Sequence, residues 1–191
     1  MSKVEKAFDY CSQKIKTMKS FQLLIFSIMV LAASCNQNLS KTEYQTMEEK
    51  KKTELKALVQ KFYDQLSDPN NSDRDGLSKV YMAENWESTP QPIGGPGRQG
   101  FVNTLGAFGG MIPDLNWDVK EMLVDGNRVT VRSIASGTPN SPEGHFFGAP
   151  TDGSKKFEIM TIDVHTIENG KMVRSYHVED WATAIQQVSQ K

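Results

Sequence analysis

Asn169-Gly170 constrains this chain more than any other pair of residues. Asn-Gly takes the positive φ angles of a type I′ turn, so it joins two antiparallel strands through a two-residue loop and fixes their pairing. The flanking run, Lys156 to Trp181 (K-F-E-I-M-T-I-D-V-H-T-I-E-N-G-K-M-V-R-S-Y-H-V-E-D-W), reads as one long hairpin. In strict register Glu168 faces Lys171, Ile167 faces Met172, His165 faces Arg174 and Ile162 faces His177. Side chains alternate along a strand. Met160, Ile162, Val164, Val173 and His177 are therefore expected on one apolar face. Asp163, His165, Arg174 and Tyr176 are expected on the other, as a polar outer surface suited to a dimer contact. An imidazole at the end of an apolar stripe is a candidate acid or base, because an unperturbed histidine titrates near pH 6.5.

Helical and strand periodicities divide the rest of the chain. Thr46-x-x-Glu49 reads as a capping box, followed by Leu55, Leu58, Val59, Phe62, Tyr63 and Leu66 at helical spacing. A short helix is expected around Gly76 to Met82, and a short strand over Trp86 to Thr89. A third helix runs within Pro96 to Ile112, with Phe101, Val102, Leu105, Phe108 and Ile112 on one side. After Pro113 the period falls to two: Leu115, Trp117 and Val119 alternate with polar residues, and Arg128 to Ala135 is the next strand. Gly137 to Gly153 reads as a long Gly- and Pro-rich loop. Helices first and antiparallel strands last give an α+β class.

Four segments carry a family resemblance: P-G-R-Q-G-F (Pro96–Phe101), M-I-P-D-L (Met111–Leu115), G-H-F-F-G-A-P-T-D-G (Gly144–Gly153) and I-E-N-G-K-M-V (Ile167–Val173). In order and spacing, residues 50 to 185 resemble the SnoaL-like polyketide cyclases and ester cyclases of the NTF2-like superfamily. The resemblance implies a cone, with N-terminal helices packed on a curved antiparallel sheet around an internal pocket. It implies acid/base chemistry without a cofactor. Where the cyclases usually show Trp-Asp, this chain has Tyr176-His177. The proton acceptor is kept, but the polyketide reaction itself is not implied.

His177 and Glu179 are thus the expected catalytic pair. Burial beside apolar groups is expected to lower the His177 pKa and leave a neutral base. Phe62, Tyr81, Trp86, Trp117, His145, Phe147, Ile162, Val164 and Asp180 are the expected pocket residues, with Asp180 also able to cap a final helix from Trp181 to Val188. No metal site is expected, because His145, His165 and His177 show no close ligand spacing.

The first 35 residues read as a leader. Lys14, Lys16 and Lys19 precede an apolar run from Phe21 to Ala33, too short to span a bilayer but suited to a signal-peptide core. The run ends in L-A-A-S-C, which resembles a bacterial lipobox, so Cys35 is the expected lipidation site. Met18 opens a complete leader by itself. A cell-envelope location follows, with a membrane contact through the lipid anchor only. Residues 36–46 read as a flexible tether and 47–191 as the domain. Cys11 and Cys35 are the only cysteines, which leaves the region after Cys35 without a thiol or disulfide. Beyond the leader, 17 basic and 21 acidic residues remain. With no basic patch, nucleic acid is not an expected partner. A small hydrophobic molecule is. Two functions stand side by side: a cyclase or isomerase acting on a small hydrophobic carbonyl compound, and a non-catalytic lipoprotein binding such a molecule. A module that uses only its sheet face to bind proteins is a third.

Overall fold

A computed structural model describes residues 40–189. The leader, Cys35 and the start of the tether lie outside the described residues. The chain divides into two compact units at Met47/Glu48. Of the first unit, residues 40–47 are described; they form the opening turns of helix α1 (Lys41–Leu66). The cap differs from the expectation. Ser40 and Glu43 make the reciprocal box: the Glu43 carboxylate accepts from the Ser40 N–H (2.9 Å), and the Ser40 hydroxyl accepts from the Glu43 N–H (3.3 Å). Thr46 sits inside the helix and donates to the Thr42 carbonyl. Ser40-x-x-Glu43 makes the same kind of box six residues earlier, so 41–46 are helical rather than tether.

In the second unit α1 continues and is followed by α2 (Arg74–Tyr81), β1 (Met82–Thr89), α3 (Gly97–Met111), β2 (Asn116–Asp125) and β3 (Arg128–Gly137). A two-residue pair, β4 (His145–Phe146) and β5 (Ala149–Pro150), forms a small hairpin inside the expected loop. The long strands β6 (Phe157–Glu168) and β7 (Lys171–Glu179) follow, then α4 (Trp181–Val188). The main sheet runs β1-β7-β6-β3-β2. It is mixed rather than purely antiparallel, because β1 lies parallel to β7. Helices on one face of this sheet enclose the core, in which Val59, Tyr63, Leu105, Val131, Phe157 and Met172 are fully buried or nearly so.

The hairpin turn is as expected, with φ of 50° at Asn169 and 70° at Gly170. The register beyond it is not. Glu168 pairs with Lys171 and Ile167 with Met172, but then a β-bulge intervenes and Thr166 pairs with Arg174. The extra residue, Val173, slips every later partner by one: His165 meets Ser175 and Asp163 meets His177. A one-residue slip exchanges partners and, on the bulged strand, exchanges faces. His177 and Glu179 therefore share the inner face with Ser175, not with Val173.

Strand β6 is also turned over relative to the expectation. Phe157, Ile159, Thr161, Asp163, His165 and Ile167 point inward and are buried, while Met160 is 54% exposed. Ile162 and Val164 lie on the outer face. Asp163 (4% exposed) and His165 (0%) are interior residues, not members of an outer polar set. Of that set Arg174 and Tyr176 do face outward, and Arg174 pairs with Glu87 at 2.8 Å.

Candidate active site

A cavity of about 210 Å³ lies between the inner face of the sheet and helices α1, α3 and α4. Its walls are mainly rings. Phe62 comes from α1, Trp86 from β1, Phe101 and Phe108 from α3, Trp117 from β2 and Trp181 from the first turn of α4. Phe62 stacks on Phe101 at 5.1 Å, and Trp86 meets Phe101 edge-on at 5.8 Å. The segment Pro90–Ile93 forms the rim. The cavity floor is polar: Asp163 from β6, and Ser175, His177 and Glu179 from β7.

The floor is legible atom by atom. His177 Nδ1 lies 2.7 Å from Glu179 Oε1. Its Nε2 lies 3.0 Å from the Pro90 carbonyl and 3.0 Å from the Ser88 hydroxyl. A carboxylate and a carbonyl both need a donor, so the doubly protonated ring satisfies both sides at once. Burial by itself would lower the His177 pKa. The Glu179 hydrogen bond and charge, the Pro90 carbonyl and the Asp163 charge outweigh it and raise the value above that of an ordinary histidine. This corrects the expectation that burial lowers the His177 pKa: its neighbours favour the charged form more than burial opposes it.

Asp163 takes the opposite part. Burial raises its pKa, and the nearby Glu179 charge adds to the rise. Hydrogen bonds from Tyr63 and Thr161 and the charge of His177 only partly offset this, and the value reaches about 7. A carboxyl group that ionises near neutrality at the base of an apolar cavity is equipped to exchange protons. His165, fully buried, is pushed down to about 3 by burial and then by the His177 charge; it stays neutral.

The other expected pocket residues separate into two groups. Phe62, Trp86 and Trp117 line the cavity with His177 and Glu179. Tyr81 does not: it is buried in the core and its hydroxyl donates to Gln65. Ile162 and Val164 are on the outer face because β6 is turned over. Asp180 caps α4, accepting from the Thr183 N–H at 3.1 Å and the Thr183 hydroxyl at 2.7 Å. His145 is exposed, its ring bonded to the Glu143 carbonyl at 2.9 Å. Phe147 packs on Trp181 at 5.3 Å, behind the wall rather than in it. The sequence reading missed Asp163, Phe101, Phe108 and Trp181 as cavity residues. The apolar stripe of α3 carried a signal for two of them, since in a cone the core face of a helix is also the pocket wall.

Asp163, His177 and Glu179 bring one ligand-type atom each to within 4.8 Å of one another. They are the residues of the site that could hold a cation. His177 can ligate only as the neutral imidazole, through a nitrogen that carries no proton.

The fold and this floor define a class of small α+β proteins that enclose a pocket between helices and a curved sheet, the NTF2-like or ketosteroid isomerase-like class. The profile of the SnoaL-like polyketide cyclases matches residues 57–188. The chain belongs to that family. Among solved structures, a Bacillus cereus protein classed with the polyketide cyclases is 25% identical, with a TM-score of 0.58, over 80% of this chain and 86% of that one. TsrD from Streptomyces laurentii is 19% identical, with a TM-score of 0.60, over 71% and 94%. A Catenulispora acidiphila protein with a ketosteroid isomerase-like fold, solved with trimethylamine, is 14% identical with a TM-score of 0.52, over 69% and 91%. No curated protein sequence matches the chain.

Proposed function

We propose that this protein catalyses proton transfer at a carbon next to a carbonyl in a small hydrophobic compound, as an isomerase or an aldol-type cyclase. The observation that carries this reading is the pairing of Asp163 with His177 across two strands at the floor of an aromatic cavity. Their surroundings raise both pKa values and bring the carboxyl into the neutral range, where a carboxyl can exchange protons with a carbon acid. Asp163, ionising near neutrality, removes the proton. The His177 imidazolium, whose two N–H groups are engaged by Glu179 and Pro90, stabilises by its charge the oxygen on which negative charge develops. A positioned acid or base is worth about 10²–10⁴-fold each. The enolate then takes its proton back at a second carbon or attacks a second carbonyl. The cavity volume suits one or two fused rings; a cavity of roughly 150 Å³ holds benzene.

The test is isotope exchange. Small cyclic ketones and β-dicarbonyl compounds are incubated with residues 36–191 in D₂O, and deuterium uptake at the α-carbon is followed by NMR. Accelerated exchange with at least one compound that binds supports catalysis. Binding without exchange across the panel supports the non-catalytic reading, which the mainly apolar wall favours.

We also propose that two copies associate through the outer face of the sheet. The basis differs from the sequence expectation. Met160, Tyr176 (45% exposed) and Val178 (63%) form an apolar surface with Ile162 and Val164. In register Ile162 lies beside Val178 and Val164 beside Tyr176, so the patch is continuous across β6 and β7. A continuous exposed apolar face of this kind marks an interaction site, and the same patch on two copies can pair about a two-fold axis. Val178→Lys is expected to convert a dimer to a monomer at micromolar concentration without unfolding it, as sedimentation would show. A parent chain that is already monomeric contradicts the proposal.

The leader stays a proposal as well, with Cys35 lipidated and the domain held at the cell envelope. Intact-mass analysis of the natively expressed protein is expected to show residues 1–34 removed and a lipid mass on Cys35. A mass that retains residues 1–34 contradicts it.

A further inference from the structure

Two of the three tryptophans in the cavity wall are pinned by hydrogen bonds. The Trp86 indole N–H donates to the Ser175 hydroxyl at 3.0 Å, and the Trp117 indole N–H donates to the Thr161 hydroxyl at 3.1 Å. The Trp181 indole has no such tie among the described residues. It stands half-buried at the first position of α4 and is held by rings: Phe157 at 5.9 Å, Phe108 at 6.0 Å and Phe147 at 5.3 Å. Phe157 belongs to the core and Phe108 to the cavity wall. Phe147 is the exposed ring of the three, and it comes from the tip of the β4–β5 hairpin.

Phenylalanine is a strained choice at that tip. His145 pairs with Pro150 and Phe146 with Ala149, so Phe147 and Gly148 form a two-residue loop. Their φ angles are 46° and 81°. Positive φ at both central residues is the type I′ pattern, which favours asparagine, aspartate or glycine at the first position. A bulky residue with positive φ is an outlier, because its Cβ crowds the neighbouring carbonyl. The chain meets the same demand at its other two-residue hairpin with Asn169-Gly170, at φ of 50° and 70°.

Burial does not account for the ring, since Phe147 is 44% exposed. Its neighbours do: it lies 4.6 Å from Phe146 and 5.3 Å from Trp181. The base of the hairpin is fixed. Phe146 is buried and stacks on Phe157 at 5.8 Å, and the Thr151 N–H donates to the Gly144 carbonyl at 2.9 Å. A fixed base holds the tip, and with it the Phe147 ring, against Trp181. Strain kept in the backbone by a side chain that is not buried points to a role for that side chain.

We propose that Phe147 is a positioning residue: it holds the Trp181 indole as the α4 side of the cavity wall and so limits the cavity to ligands of one or two fused rings. Phe147 does not line the cavity and acts only through Trp181. The proposal rests on the reading of the cavity as a ligand site, and not on which residue moves the proton. Without the Phe147 ring, Trp181 is free on its outer side and the wall gives way to a larger ligand.

Two measurements on residues 36–191 test this. The first needs no ligand. Labelling with 5-fluorotryptophan gives one ¹⁹F resonance for each tryptophan, with Trp181 identified by its loss in Trp181→Phe. In Phe147→Asn, which suits the turn and is expected to keep the fold, the Trp181 resonance should broaden or split, while those of Trp86 and Trp117 stay sharp. Phe147→Tyr keeps the ring and should restore the single sharp line. A Trp181 resonance that stays single and sharp in Phe147→Asn, differing only in shift, would overturn the positioning role. Broadening of all three resonances together would overturn it too, as a general loosening. The second measurement is calorimetric titration with 2-naphthol and 9-phenanthrol, a two-ring and a three-ring probe. The parent is expected to bind 2-naphthol at least about tenfold tighter, and Phe147→Asn to reduce that ratio to about threefold or less. An unchanged ratio in Phe147→Asn, or equal binding of both probes by the parent, overturns the size limit alone. A parent that binds neither probe overturns it together with the reading of the cavity as a ligand site.

Discussion

Asp163→Asn is expected to lose about 10²–10⁴-fold of the exchange activity at neutral pH and, at pH 8, to be more stable than the parent. The two effects share one cause. In the folded protein Asp163 ionises near 7, against an ordinary value of 3.8. A folded-state pKa raised above the unfolded value means that the native protein holds a proton the unfolded chain has released. The stability Asp163 costs is therefore absent below about pH 4, grows as pH rises through the window between 4 and 7, and is complete above it. Asparagine matches aspartate in size and never ionises. The gain at pH 8 is on the order of 2–4 kcal/mol and should shrink at pH 4. Urea unfolding of both proteins at the two pH values measures it. A variant that is destabilised equally at pH 4 and pH 8 would mean that Asp163 is an ordinary structural carboxylate.

Phe101→Ala is expected to destabilise the domain by about 3–5 kcal/mol. Phe101 is 3% exposed and joins the two halves of the cavity wall, stacked on Phe62 and edge-on to Trp86. Truncation loses the buried ring and leaves a void on the cavity side, where neighbouring rings cannot collapse without closing the pocket. Native domains hold only about 5–15 kcal/mol, so this variant should show a clearly lower urea midpoint. Phe101→Leu keeps most of the volume and is expected to cost roughly 1 kcal/mol. Equal costs for Ala and Leu would indicate that the ring fills no essential space.

The sequence reading and the structure part company at the site, and the reason lies in two strands. Class, element order, the Asn169-Gly170 turn and the aromatic wall from Phe62, Trp86 and Trp117 were all readable, because each rests on local pattern. The face assignment of β6 was not. Its even positions, Met160, Ile162 and Val164, are more apolar than Thr161, Asp163 and His165, so alternation pointed to the wrong side. The full length of the strand holds the better signal. The inward set begins with Phe157 and Ile159 and ends with Ile167, apolar at both ends and polar only where it meets the cavity. The outward set is bounded by Glu158 and Glu168. A polar interior in mid-strand is a site, and it inverts the usual reading of hydrophobicity. The bulge at Val173 had no local marker, since it sits between ordinary strand residues. It is nonetheless what carries His177 and Glu179 to the inner face beside Asp163.

The measurement that bears most directly on this account is the ¹³C-carboxyl titration of the parent protein, with Asp163 identified by its loss in Asp163→Asn. The account predicts one aspartate whose midpoint lies near 7, well apart from the exposed carboxylates, and whose titration is felt by the His177 ring. Complete ionisation of Asp163 by about pH 5 would contradict it, because a carboxylate that is fully charged and stabilised far below neutrality is not poised to take a proton from carbon.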